Sequence, residues 1–97
     1  GGDAQAAASM LDDFLAALTE SEAAMHAAHS DADWQALYHE VHKLAGSTPI
    51  VGAAALHGAA VHLQNFLNLD PRPVDRIDMG IADVSQQIGR FRDAVSR

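Results

Sequence analysis

Apolar residues recur at alternating steps of three and four along four stretches of the chain, the spacing of one face of an α-helix. This pattern predicts helices over residues 3–28, 31–47, 53–67 and 74–95. The last stretch is the most regular, with apolar residues at Val74, Ile77, Ile81, Val84, Ile88, Phe91 and Val95. Such steps favour helices that pack at about 20° to one another. We therefore expect an all-α protein, an up-down-up-down antiparallel four-helix bundle that forms a single domain over residues 1–97.

The ends of the second helix carry recognisable stop and start signals. Ser30 or Asp31 is a candidate N-cap, with Asp33 placed for a capping box. Pro49 ends the helix near Thr48, because the residue before a proline avoids helical backbone angles.

The composition narrows the classes of partner. Hydrophobic residues make up 48% of the 97 residues but aromatic residues only 5%, so we expect an aliphatic, alanine-rich core. The net charge of -7 argues against nucleic acid and against anionic membrane surfaces, because both require a basic face. No apolar run approaches the about 20 residues of a membrane span. We expect a monomer with no nucleic-acid or membrane contact.

One histidine is followed four residues later by a glycine within the second predicted helix: His42 and Gly46. Glycine inside a helix is about 1 kcal/mol less favourable than alanine, so its presence requires a reason. A side chain at position 46 would lean over the imidazole of His42, because residues four apart share a face and lean towards the N-terminus. Helical periodicity places His42 on the flank of the apolar stripe, with His39 further towards solvent. The pattern predicts an exposed, reactive histidine on a docking face.

A metal-binding bundle is an alternative interpretation of the six histidines. His39 and His42 are three residues apart and share a helix face. However, no glutamate stands three residues before a histidine, the spacing of di-metal bundles, and the zinc-binding helix motif is missing. We therefore predict no metal site; a metal bundle would show a melting shift with zinc or nickel that depends on both residues. The other histidines are interpreted as solvated surface residues: His26, His29, His57 and His62.

The run from His42 to Ser47, with the positions that follow it, resembles the histidine phosphotransfer (HPt) domain family. The signature of that family is a histidine with an apolar residue two positions later, a lysine at three, a glycine at four and a second glycine at ten. Leucines follow on the next helix, beside a glutamate or glutamine. The matching residues here are Leu44, Gly46, Gly52, Leu56, Leu63 and Gln64.

The sequence departs from that family at Ala45, where the family usually carries a lysine that helps to neutralise the phosphoryl group. Lys43, the only lysine of the chain, is the candidate to replace it in part, although it points away from the His42 face. A helical module that docks receiver domains without phosphotransfer is therefore retained as an alternative function.

The resemblance implies a function for His42 as a phosphoacceptor in a multistep two-component phosphorelay. It would take a phosphoryl group from the phospho-aspartate of a response-regulator receiver domain and pass it to a second receiver. Lys43, Gly46 and Gln64 are the supporting residues, with Gln64 orienting the other ring nitrogen or a docking loop. The expected docking patch lies around His42 and comprises His39, Ile50, Val51 and Ala53 or Ala54.

The chain has no glycine-rich phosphate loop and no other nucleotide-binding pattern. The resemblance therefore implies a phosphoryl carrier rather than an enzyme, with Mg²⁺ supplied by the partner receiver domain and no cofactor in this chain. It also implies a cytoplasmic location, either alone or as the C-terminal domain of a membrane-bound hybrid sensor histidine kinase. The opening Gly1-Gly2 favours a segment of a longer chain.

Overall fold

A computed structural model describes residues 2–48 and 53–95, with side chains from residue 9 onward. It contains four helices: α1 (Gly2–Ser30), α2 (Trp34–Ser47), α3 (Ala54–Leu67) and α4 (Val74–Val95). No strand occurs within these two ranges, so the predicted all-α class is confirmed. No helix among the described residues is long and apolar enough to cross a membrane.

The four helices form an antiparallel bundle, as predicted. Each helix packs against the next along the chain, and α4 packs back against α1. Side-chain contacts give the directions: His57 at the start of α3 meets Ala45 near the end of α2, and Arg92 near the end of α4 meets Thr19 of α1. The outcome is a rod of 53 × 20 × 19 Å in which α2 and α3 lie side by side.

The core is aliphatic and comes from the inner faces of all four helices. At the end of the predicted α4 stripe, Phe91 and Val95 are only half-buried. Val74 is exposed over 49% of its surface, because it is the first residue of α4 and lies beyond the buried layer at Ile77. Small residues fill the space where helices approach closely, Ala45, Ala59 and Ala60 among them. The large buried side chains are Leu18, Met25, Leu37, Val41, Leu44, Leu56, Leu63, Leu67, Ile77, Ile81, Val84 and Ile88.

A glycine sets the distance between α3 and α4. A Cβ atom on Gly80 would lie 2.8 Å from Cδ1 of Leu63, closer than real Cβ contacts allow. Leu63 is fully buried, so a shift of its side chain would disturb the close-packed core around it. Gly80 therefore permits the close packing that fixes α3, the helix that also carries Gln64.

The turn between α1 and α2 differs from the prediction. α2 begins at Trp34 rather than at residue 31, and its N-cap is Asp33, whose carboxylate accepts a hydrogen bond from the Ala36 backbone N–H at 3.1 Å. Of the predicted N-caps, Ser30 is instead the last residue of α1 and Asp31 is the first residue of the turn. Asp33 is thus the cap itself and not the reciprocal member of a capping box.

The backbone of this turn forms a Schellman motif closed by an alanine. Ala32 has a φ of 52°, in the left-handed region. The Asp33 N–H donates to the Ala28 carbonyl at 2.9 Å and the Ala32 N–H donates to the His29 carbonyl at 3.1 Å, the two bonds of the motif. Glycine is the usual residue here, so alanine gave no signal of where α1 ends.

We expect Ala32→Gly to stabilise the domain by up to about 1 kcal/mol. The left-handed conformation is about 1–2 kcal/mol unfavourable for alanine, which exceeds the additional unfolded-state entropy of glycine. The free energy of unfolding from urea titration measures the effect. Ala23→Gly, at an exposed position inside α1, is the control and should destabilise by about 1 kcal/mol. Equal destabilisation by both substitutions would contradict the strain at Ala32.

Candidate functional site

His42 lies on α2 and is exposed, on the flank of the apolar stripe, as predicted. Its imidazole stacks on the ring of Tyr38, with ring centroids 5.8 Å apart and an angle of 16° between the planes. The two rings meet because residues four apart on a helix are neighbours. One side of the imidazole is therefore supported by the bundle, and the ring remains accessible to a partner.

Gln64 of α3 contacts both aromatic rings of this pair. Its amide Nε2 donates to the Tyr38 hydroxyl oxygen at 3.1 Å and lies 3.0 Å from Nδ1 of His42. The antiparallel packing of α2 and α3 brings these residues together, although Gln64 is 22 positions from His42. With Nδ1 facing Gln64, Nε2 is the ring nitrogen on the outer edge.

Tyr38 is the member of this group that is not among the predicted site residues. It stands four residues before His42, as Gly46 stands four residues after it. The same i, i+4 rule that singled out Gly46 therefore also points to Tyr38. Its hydroxyl group makes it more than a packing residue, because it is bonded to the amide that contacts the imidazole.

Gly46 is exposed, and a Cβ atom placed on it would meet no atom within 4 Å. The fold of the isolated chain therefore does not require a glycine at this position. The same holds for Gly58 and Gly89, which are also helical and exposed. Gly46 differs from these two because it follows His42 by one helical turn, where a side chain would cover the imidazole.

Lys43 does not lie on the side of α2 that carries the His42–Gln64 contact. Its Nζ atom is 3.3 Å from Oε2 of Glu40, and its side chain is 54% exposed. Both residues border a groove between α1 and α2 that is also lined by Glu20, whereas Gln64 approaches from α3. The structure thus pairs Lys43 with an acid of its own helix.

The predicted docking residues differ in their exposure. His39 is exposed on the same outer face as His42. Ala53 is a core residue with 6% of its surface exposed, so its predicted role in docking is wrong, and of the two candidate alanines only the exposed Ala54 is available. Ala53 is the N-cap residue of α3, and its methyl group packs in the core. The other two predicted docking residues, Ile50 and Val51, lie outside the described residues, as do Pro49 and Gly52.

His57 ties the start of α3 to the end of α2, and its interpretation as a solvated residue is wrong. Its Nδ1 donates to the Ala45 carbonyl at 2.9 Å and lies 3.1 Å from Oγ1 of the fully buried Thr48. The last carbonyls of a helix lack partners within it, so this bond satisfies one of them. The contact holds the end of α2, including Gly46, against α3.

A second polar cluster lies between α1 and α4. The Ser85 hydroxyl donates to Glu22 at 2.5 Å and lies 2.8 Å from Nε2 of His26, while His29 contacts Asp78 at 2.6 Å. His26 is an exposed surface residue, as predicted, and His29 is half-buried, and both also bridge the two helices. In a nucleophilic triad the histidine takes the serine proton, whereas this serine gives its hydrogen bond to the carboxylate. The cluster joins the helices and offers no activated nucleophile.

The surface around His42 is nearly uncharged and carries no metal cluster. None of the residues of α3 is Asp, Glu, Lys or Arg, and α2 carries only the Glu40–Lys43 pair. Over the two described ranges, no group of three or more histidine or acidic side chains could hold a metal ion. The metal-binding alternative therefore finds no ligand set in that part of the chain.

Comparison with known proteins agrees with this geometry. The model of the Hpt domain family matches residues 9–95, nearly the whole chain. A search of curated proteins and a search of solved structures each found no match. Hpt domains are phosphocarriers of two-component signalling that interact with response-regulator receiver domains. The family match begins within α1 and extends over α2, α3 and α4, including the exposed His42, and the chain therefore belongs to the Hpt domain family.

Proposed function

We propose that this chain is a phosphorelay intermediate in which His42 accepts a phosphoryl group from one receiver domain and passes it to another. The observation that carries the proposal is the exposed imidazole of His42, held through Nδ1 against Gln64 with Nε2 on its outer edge. An Hpt domain requires such a nitrogen, accessible to an aspartyl phosphate on a second protein.

The reaction is an in-line displacement at phosphorus. The Nε2 lone pair forms the N–P bond while the P–O bond to the receiver aspartate breaks, and its electron pair returns to the carboxylate. The imidazole becomes a phosphorylated ring that keeps its proton on Nδ1. Transfer to the second receiver reverses these steps with a new aspartate as nucleophile.

The partner receiver would stabilise most of the negative charge on the phosphoryl group during transfer. The receiver supplies Mg²⁺ and the acyl phosphate, and this chain carries the group without an ATP site, as an intermediate and not as a kinase. A cytoplasmic location follows if the receivers are cytoplasmic. Lys43, which is paired with Glu40, is the remaining candidate on α2 for neutralising the phosphoryl group.

The outer face of α2 and α3 is the proposed docking surface for receivers. His39 is exposed there, Ala54 is exposed at the start of α3, and Gly46 leaves space beside the imidazole for the loops of a receiver. The lack of acidic residues on α3 supports this choice. The protein as a whole is acidic, but α3 carries no carboxylate that would repel the phosphate of a receiver.

Transfer of label from phosphorylated receivers tests the proposal. A panel of receiver domains carrying ³²P-aspartyl phosphate is mixed with the chain, and we expect label on the chain that acid removes and base does not, as for a phosphohistidine. Addition of an unlabelled second receiver should remove the label from the chain. Binding of a receiver without label on the chain would instead support the docking-module alternative.

A further inference from the structure

The amide of Gln64 stands between two groups that can each donate or accept a hydrogen bond. It lies 3.1 Å from the Tyr38 hydroxyl oxygen and 3.0 Å from His42 Nδ1, and in the structure its nitrogen makes both contacts. A half-turn of the amide places its oxygen at the same point. The tyrosine hydroxyl and the neutral imidazole can each change roles, so both orientations preserve both hydrogen bonds.

The two orientations correspond to two tautomers of His42. When the amide nitrogen faces the ring, Nδ1 accepts, and the imidazole proton is on Nε2, where it occupies the position needed for attack. When the amide oxygen faces the ring, the proton is on Nδ1 and the Nε2 lone pair points outward. Only the second tautomer is a nucleophile at the exposed edge of the ring.

We propose that Tyr38 is a positioning residue that selects this nucleophilic tautomer through Gln64, an inference that rests on the proposed function. A phenol is a strong hydrogen-bond donor and a weak acceptor, because its oxygen lone pair is delocalised into the ring. The hydroxyl of Tyr38 therefore favours the amide oxygen of Gln64. That oxygen has two lone pairs, and the second accepts from the Nδ1–H group of His42.

The same hydrogen bond serves both halves of the transfer. After Nε2 forms the N–P bond, the ring is positively charged and the Gln64 oxygen stabilises its Nδ1–H group. When the phosphoryl group leaves for the second receiver, the N–P electron pair returns to Nε2 and the proton stays on Nδ1. No proton has to enter or leave the site during the cycle.

Tyr38→Phe tests the proposal, because it removes the hydroxyl group and keeps the ring that stacks on His42. We expect ¹⁵N NMR of the histidine-labelled chain to show the His42 proton mainly on Nδ1 in the wild type. In Tyr38→Phe the tautomer ratio should move towards that of free imidazole side chains. The rate of phosphorylation by a receiver should fall about five-fold, the scale of one lost hydrogen bond, with receiver affinity unchanged. His39, exposed on the same helix, is the internal reference and should not shift.

Two variants of Gln64 extend the test, and the first of them does not depend on how well Tyr38→Phe folds. Gln64→Leu breaks the same contact from the other side and should shift the His42 tautomer in the same direction. Gln64→Glu combined with Tyr38→Phe should restore the Nδ1–H tautomer, because a carboxylate can only accept and needs no tyrosine to orient it.

The tautomer is measured without a receiver, so the two proposals can fail separately. If Tyr38→Phe has the same ¹⁵N shifts and the same phosphorylation rate as the wild type, the role of Tyr38 is overturned while the phosphorelay proposal stands. A wild-type His42 protonated mainly on Nε2 would also overturn it. A tautomer shift in Tyr38→Phe without any label on the wild-type chain would uphold the selection by Tyr38 and contradict the proposed function.

Discussion

His42→Gln is expected to take up no label above background from a phosphorylated receiver. Glutamine is polar and suits a helix, so the exposed face of α2 keeps its character, but its amide nitrogen has no nucleophilic lone pair. The fraction of chain labelled at a fixed time measures the effect, with circular dichroism to show that the bundle is intact. The loss should be complete because the proposed covalent intermediate forms on this ring alone.

The matched control for this experiment is His39→Gln. His39 lies three residues earlier on the same exposed face of α2, so the two substitutions change charge and surface alike. We expect His39→Gln to retain labelling, with at most a small change in receiver affinity. Equal labelling of His42→Gln and wild type would refute His42 as the acceptor.

Gly46→Gln is expected to lower the phosphotransfer rate by about 100-fold or more while making the isolated domain more stable. The stability gain is up to about 1 kcal/mol, because any helix-forming residue improves on glycine and a Cβ at this position meets no atom within 4 Å. The loss of transfer follows because the new side chain leans over His42, and small displacements of reacting groups reduce rates on this scale.

The matched control is Gly89→Gln, at another exposed helical glycine with open space around its Cβ. Gly89 belongs to α4, away from the proposed docking face, so we expect the same gain in thermal stability with an unchanged transfer rate. If only Gly46→Gln raises stability and lowers the transfer rate, the glycine at position 46 serves contact with a partner and not the fold. An unchanged transfer rate in Gly46→Gln would remove this explanation.

The bundle could be predicted because its core is read directly from helical periodicity. The strict spacing from Ile77 to Ile88 gave the buried face of α4, and the stripe from Leu37 to Leu44 placed His42 on its flank. The boundary between α1 and α2 could not be predicted, because Ala32 adopts a conformation that usually requires glycine.

The parts of the site that depend on how two helices approach one another were not predictable from one sequence. His57 and Ala45 lie on different helices, and their contact depends on the rotation of α3 against α2. Burial of Ala53 depends on the same packing, since an alanine fits either a core or a surface. Gln64 was identified through family resemblance alone, and Tyr38 could have been found from its spacing to His42.

The α2–α3 face carries few charges of its own, so residues on this face contribute little long-range electrostatic steering to encounters. Most of the acidic residues behind the net charge of -7 lie on α1 and α4, while α3 contributes no Asp, Glu, Lys or Arg. Association of proteins without such steering proceeds at roughly 10⁵–10⁶ M⁻¹s⁻¹, well below the rates of oppositely charged pairs. A covalent tether to a receiver would compensate by raising its local concentration to the millimolar range. The chemistry of this face thus favours partners held nearby over partners drawn from solution.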